Sequence, residues 1–153
     1  MRRATPTYAR AVEPDERIAS LIGRWSGDEE VSATAWTAAG VAHAELTITP
    51  APGGLVLDYR ETRDDGEMTG HGVVSGDGWW WFDSYGFVPA APGSATWAAD
   101  SLVLERRSDR GRNVMRLARD GERLTMRLAA AVPADGEVEP LVAGNYARAD
   151  GDR

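Results

Sequence analysis

The chain has 153 residues, with 17 basic against 24 acidic side chains and a formal charge of −7, which suits one domain with its own core. It holds no cysteine, and every basic residue is arginine. Disulfides, thiolate nucleophiles, Cys-based metal sites and lysine Schiff-base or PLP attachment are therefore excluded.

In chain order, residues 1–13 read as an arginine-bearing arm with Pro6 and little apolar periodicity. Pro14 and the acidic pair Asp15-Glu16 then fit a first helical turn, and Gly23 fits a C-terminal cap. Ile18, Leu21 and Ile22 share one face of that two-turn helix. From there strand signals predominate. About ten strands are predicted, roughly at 24–32, 40–49, 54–62, 67–75, 78–85, 94–99, 101–108, 112–119, 122–132 and 138–148. Their separators carry turn chemistry, as in Pro52-Gly53-Gly54, Asp64-Asp65-Gly66, Gly76-Asp77-Gly78, Asp109-Arg110-Gly111 and Asp120-Gly121. The longest irregular stretch, Gly86 to Gly93, is a candidate lid. Residues 149–153 read as a tail.

One helix followed by hairpin-linked strands predicts an all-β fold, an antiparallel up-and-down barrel whose closure removes exposed edges. The helix would cap one barrel end, and eight or more strands leave room for a small ligand. The domain is expected over 14–148. Leu124, Met126 and Leu128 alternate with Arg123, Thr125 and Arg127, as a one-sided strand requires. The arginines at 106, 107, 110, 112, 116 and 119 read first as a solvated hairpin, with an anion-binding rim as the alternative.

Two clusters carry most of the functional signal. In the first, Gly23 ends the helix, Trp25 turns inward to plug the narrow end, and Gly27 lets another backbone approach. Glu29 shares the parity of Trp25. An inward carboxylate is costly alone, so an arginine or a ligand should meet it. In the second, Gly70 and Gly72 flank His71, and Trp79, Trp81, Asp83 and Tyr85 share one strand face. Aromatics with a carboxylate and a phenol suit a ligand pocket. Tyr59 and Glu61 share a face on the strand before that of His71.

The segments Gly23-Arg24-Trp25-Ser26-Gly27, Gly70-His71-Gly72, Trp81-Phe82-Asp83-Ser84-Tyr85-Gly86 and Gly144-Asn145-Tyr146-Ala147-Arg148 resemble an uncharacterised bacterial calycin-like barrel family. Its marks are the Gly-x-Trp-x-Gly and Trp-Phe-Asp-Ser-x-Gly motifs, and it is distantly similar to nitrobindin, fatty-acid-binding-protein and lipocalin barrels. The resemblance covers about residues 17–148. It implies a barrel with a central cavity and no established reaction. Nitrobindin relatives hold haem through a histidine near the C-terminal strands, and this chain has none there. Tyr146 is the sole alternative iron ligand in that region, which disfavours haem. No cofactor is expected, and His43 and His71 have no spacing that marks a metal site.

Three functions follow. The first is binding of a small apolar or amphipathic molecule, with Trp25, Glu29, Tyr59, Glu61, His71, Trp81, Asp83 and Tyr85 as candidate ligand-binding residues. The second is a cofactor-free pocket enzyme of isomerase, cyclase, hydratase or hydrolase type, with His71 as base and Asp83 as its orienter or acid. Glu61 would lie near His71 if the two strands pair about Asp64-Asp65-Gly66. The third is a homodimer anchored by Trp80, Phe82 and Phe87. Nucleic acid is not an expected partner of an acidic chain. Neither is a membrane, since no run of about 20 apolar residues occurs. The first ten residues lack the apolar core of a secretory signal, so a cytoplasmic location is expected.

Overall fold

The computed structural model describes residues 15–35 and 37–149. The expected arm at 1–13 lies outside the described residues, as do residues 150–153 of the expected tail. A short helix, α1 (Glu16–Leu21), precedes ten strands. These are β1 (Gly23–Val31), β2 (Gly40–Ala51), β3 (Gly54–Arg63), β4 (Gly66–Ser75), β5 (Gly78–Asp83), β6 (Gly93–Ala98), β7 (Ser101–Ser108), β8 (Gly111–Asp120), β9 (Arg123–Ala131) and β10 (Glu139–Arg148). Each pairs antiparallel with its sequence neighbour, and β1 pairs with β10 to close the barrel. The predicted all-β, up-and-down barrel is the fold, and closure leaves no edge strand.

Local chemistry explains most boundaries. Asp15 accepts from the Arg17 backbone N–H at 2.8 Å and so caps α1. Two-residue turns join many strands. Gly76 and Gly121 adopt the left-handed φ such turns need, at 61° and 59°. β5 stops two residues short of its predicted end. The Asp83 carboxylate accepts from the backbone N–H groups of Tyr85 and Phe87 at 3.0 and 3.3 Å, which bends the chain out of the ladder. Tyr85 is therefore a loop residue, not a strand residue as predicted.

The two barrel ends differ. At one, α1 packs against β2 and β8, and Leu21 is fully buried. Trp25 lies beneath the helix, fully buried, with its indole N–H donating to the Leu21 carbonyl at 3.0 Å. Arg148 and Arg119 lie over its ring at 4.5 and 5.2 Å from the centroid. Gly27 is needed because the backbone of Asn145 and Tyr146 passes where a Cβ would stand. The Gly-x-Trp-x-Gly segment thus builds the closed end. The other end is ringed by the β1–β2, β3–β4, β5–β6, β7–β8 and β9–β10 connections. There β5 and β6 pair only at Gly78–Ser94 and Trp79–Gly93, so the wall parts beside the 84–92 loop.

Candidate functional site

Inside the barrel a cavity of about 760 Å³ opens at the end opposite α1. Its wall alternates with strand parity. Leu104, Met115, Met126 and Leu128 supply aliphatic and thioether surface, and Trp79 and Trp81 supply aromatic surface. The two indoles pack at 5.7 Å between centroids. Tyr59, Glu61, Trp81, Asp83 and Tyr85, all predicted for the ligand site, line this cavity. Tyr85 stands at the mouth, 74 % exposed.

The other three predicted residues fall elsewhere. Trp25 is part of the closed end and does not line the cavity. Glu29 lies behind the cavity wall, in contact with Tyr59. His71 is on the outer surface, its side chain 51 % exposed, paired with Asp58 at 2.6 Å. His43 does the same with Asp28 at 3.2 Å. In both cases histidine and aspartate are direct cross-strand partners in the ladder. Such pairs are ordinary surface contacts.

The expected approach of Glu61 to His71 does not occur either, because Glu61 pairs across β3–β4 with Met68. Asp83 is turned away from His71. Its oxygens accept from the Trp81 indole N–H at 3.1 Å and from the loop N–H groups. The glycines beside His71 have a clear cause. A Cβ on Gly70 would overlap the Trp81 ring, and one on Gly72 would stand 3.2 Å from both Trp79 and Trp81. The close approach is on the glycine side, which puts His71 outside. His71→Ala should change stability by about 0.5 kcal/mol or less in urea denaturation and leave any cavity ligand bound. A large loss of either would contradict this placement.

Behind Tyr59 lies a cluster that sequence reading reached only in part. Glu29 and Glu61 are 1 % and 3 % exposed. The Tyr59 hydroxyl sits 2.7 and 2.8 Å from the two Glu29 oxygens and 2.9 Å from Glu61. Tyr146 donates to Glu29 at 2.5 Å, and Arg63 to Glu61 at 2.6 Å. One phenol has one proton, so three carboxyl oxygens around it require a carboxyl to carry another. Burial, with the neighbouring Glu61, pushes Glu29 up to about 7 despite the two phenols. Burial also pushes Glu61 up, but hydrogen bonds from Glu29, Arg63 and Tyr59 and the Arg63 charge hold it below the usual carboxylate range. Below about pH 7 the pair therefore holds one proton, mainly on Glu29, and one charge, on Glu61 beside Arg63. Burial and the two carboxyls raise both phenols well above the usual tyrosine range.

Tyr146 was not placed in the site by its sequence; in the fold its phenol lies over Gly144, where a Cβ would overlap it. Its partner Glu29 is 117 positions away, and no local pattern joins them. The arginine-rich stretch also divides between the two faces of the β7–β8 hairpin. Arg107 pairs with Asp135 at 2.7 Å and Arg112 with Glu105 at 3.2 Å, whereas Arg106 and Arg110 line the cavity. Phe87, expected with Trp80 and Phe82 as an anchor of a dimer face, lines the mouth beside Arg106. Among the described residues, no three His, Asp or Glu side chains gather as metal ligands. The Tyr146 hydroxyl is engaged by Glu29.

A closed ten-strand meander with a helix at one end and a cavity at the other defines a calycin-like barrel. Solved structures agree on that class. Rv2717c from M. tuberculosis matches at a TM-score of 0.61 with 14 % identity, over 87 % of this chain and 95 % of its own. The S-type phycobiliprotein lyase CPES from Guillardia theta matches at 0.60 with 12 % identity, over 90 % and 93 %. No protein-family model matches the chain, and no curated protein matches it in sequence. No helix among the described residues is long and apolar enough to cross a membrane.

Proposed function

We propose that the barrel binds a small apolar or amphipathic molecule in its central cavity. The observation that carries this reading is the cavity itself. At about 760 Å³ it lies within the range of small-molecule sites, and its wall is mainly aromatic and aliphatic with a few placed polar groups. At 12–14 % identity the structural neighbours support the fold alone, so the ligand class has to come from the lining. The two sequence motifs support kinship with the bacterial calycin-like family. A cytoplasmic location without nucleic-acid or membrane partners belongs to the same proposal, since a charge of −7 is repelled by phosphate surfaces.

Native mass spectrometry of protein purified from its own host tests the reading directly, because a retained molecule appears as a fixed added mass. With purified protein, an apolar ligand panel should quench tryptophan fluorescence through Trp81 and raise the melting temperature. No added mass, no quench and no thermal shift across the panel would end the proposal.

A pocket enzyme is the second reading, and a different pair of residues favours it. His71 is outside the barrel, whereas Tyr59 and Glu61 reach the cavity and share a proton with Glu29. A retained molecule that is chemically altered by the native protein but not by Glu61→Gln would support this over simple binding.

A further inference from the structure

We infer that the cavity takes an amphiphile with an oxyanion head, and that Arg106 is the residue that holds that head. This rests on the reading that the cavity binds a small molecule.

The inference comes from the charges in the cavity wall. Glu61 is neutralised by Arg63 at 2.6 Å. Asp83 is held by three N–H donors from Trp81, Tyr85 and Phe87. Arg110 is exposed at the rim. Arg106 differs from all of these. It follows Leu102 and Leu104 on the inward face of β7 and is half-buried, and no ion pair reaches it among the described residues. Burial pushes its guanidinium down, and the Asp83 charge works against that. Burying an unpaired cation is costly, and an anion from the ligand would offset the cost.

The guanidinium is also oriented. Its central carbon lies over the Phe87 ring, 4.1 Å from the centroid. With the Asn113 amide turned so that its oxygen faces β7, that oxygen accepts from Arg106 Nη2 at 2.9 Å. Asn113 is the direct cross-strand partner of Arg106. One of five donors is thus used, and the fork remains for a carboxylate or phosphate, which it fits in two-point geometry. Phe87 belongs to the 84–92 loop, so an occupied Arg106 would also fix that loop. Below this polar rung lie Leu104, Met115, Trp79 and Trp81, an apolar bed for the ligand body.

Calorimetric titration with decanoate, decyl phosphate, decanol and decylamine tests this with matched chains. The wild-type protein should bind at least one of the two anions about tenfold or more tighter than decanol, and the better anion identifies the head. Arg106→Met keeps the stem over Phe87 and should erase that preference while decanol affinity stays within about twofold. Arg110→Met should keep most of the preference. Equal binding of anion and alcohol by the wild type, a preference for the amine, or a preference that survives Arg106→Met would each overturn the inference and leave the binding reading intact. No binding of any probe would remove both.

Discussion

Glu29→Ala should destabilise the barrel by about 3 kcal/mol or more, whereas Glu29→Gln should cost about 1 kcal/mol or less. Alanine strips the acceptor from two buried phenols, Tyr59 and Tyr146, and leaves Glu61 without its carboxyl neighbour. Each buried polar group left unsatisfied costs about 1–3 kcal/mol. Glutamine instead mimics a protonated Glu29, with an oxygen for the phenols and an amide donor for Glu61. A sign follows for pH. The folded Glu29 binds its proton up to about 7, against 4.5 for an ordinary glutamate. Between those values the folded state holds more protons than the unfolded state. Stability from this group is therefore present at low pH and lost as pH rises through the window, by about 1–3 kcal/mol. Glu61 has the opposite sign, since its lowered value gives stability that is lost as pH falls through that value. Urea midpoints of wild type and Glu29→Gln at several pH values read the first contribution, because groups that do not touch Glu29 cancel in the difference and the glutamine amide keeps a donor on Glu61. If the variant kept the wild-type slope between pH 4.5 and 7, the shared-proton account of this pair would be falsified.

Gly70→Ala should cost about 2 kcal/mol, well above Gly72→Ala at about 1 kcal/mol or less. At an open strand position such a change loses nothing from packing and restricts the unfolded chain, a gain of about 0.4–1 kcal/mol. At Gly70 the new methyl overlaps the six-membered ring of Trp81. That ring cannot simply swing away. Its N–H is held by Asp83 at 3.1 Å, and the Trp79 ring lies tilted against it at 5.7 Å between centroids. At Gly72 the methyl stands 3.2 Å from both indoles, a crowding that a small shift relieves. Because Trp81 forms cavity wall, Gly70→Ala should also weaken ligand binding and alter tryptophan emission. Thermal melts and emission spectra of the two variants check the order. Equal destabilisation by both, or none by Gly70→Ala, would show that the glycines are not there to seat the rings.

The contrast between these two sites marks how far the sequence could be read. The glycines flanking His71 were legible, but that Trp81 packs over Gly70 was not. His71, expected at the pocket, lies outside because a glycine that admits a ring on one face puts its neighbour on the other. β4 and β5 carry large or special residues on both faces, so parity groups their residues correctly without saying which group is inside. The helix, the ten strands and most of their turns were recoverable because turn residues and period-two alternation are local properties. Antiparallel order and closure followed from short connections and the need to remove edges.

Tertiary structure alone decided the rest. It set the pairing of β1 with β10, which carries Tyr146 to Glu29. It turned Arg106 inward and unpaired while its neighbours in sequence found partners outside. A carboxyl's proton, a guanidinium's lack of a counter-ion and a cavity's volume all depend on atoms brought together from distant strands. The composition left carboxylates, phenols, arginines and two histidines as the available chemistry. Folding sends both histidines to the surface and sets Tyr59, Glu61 and Arg63 in the cavity wall with Glu29 and Tyr146 behind them.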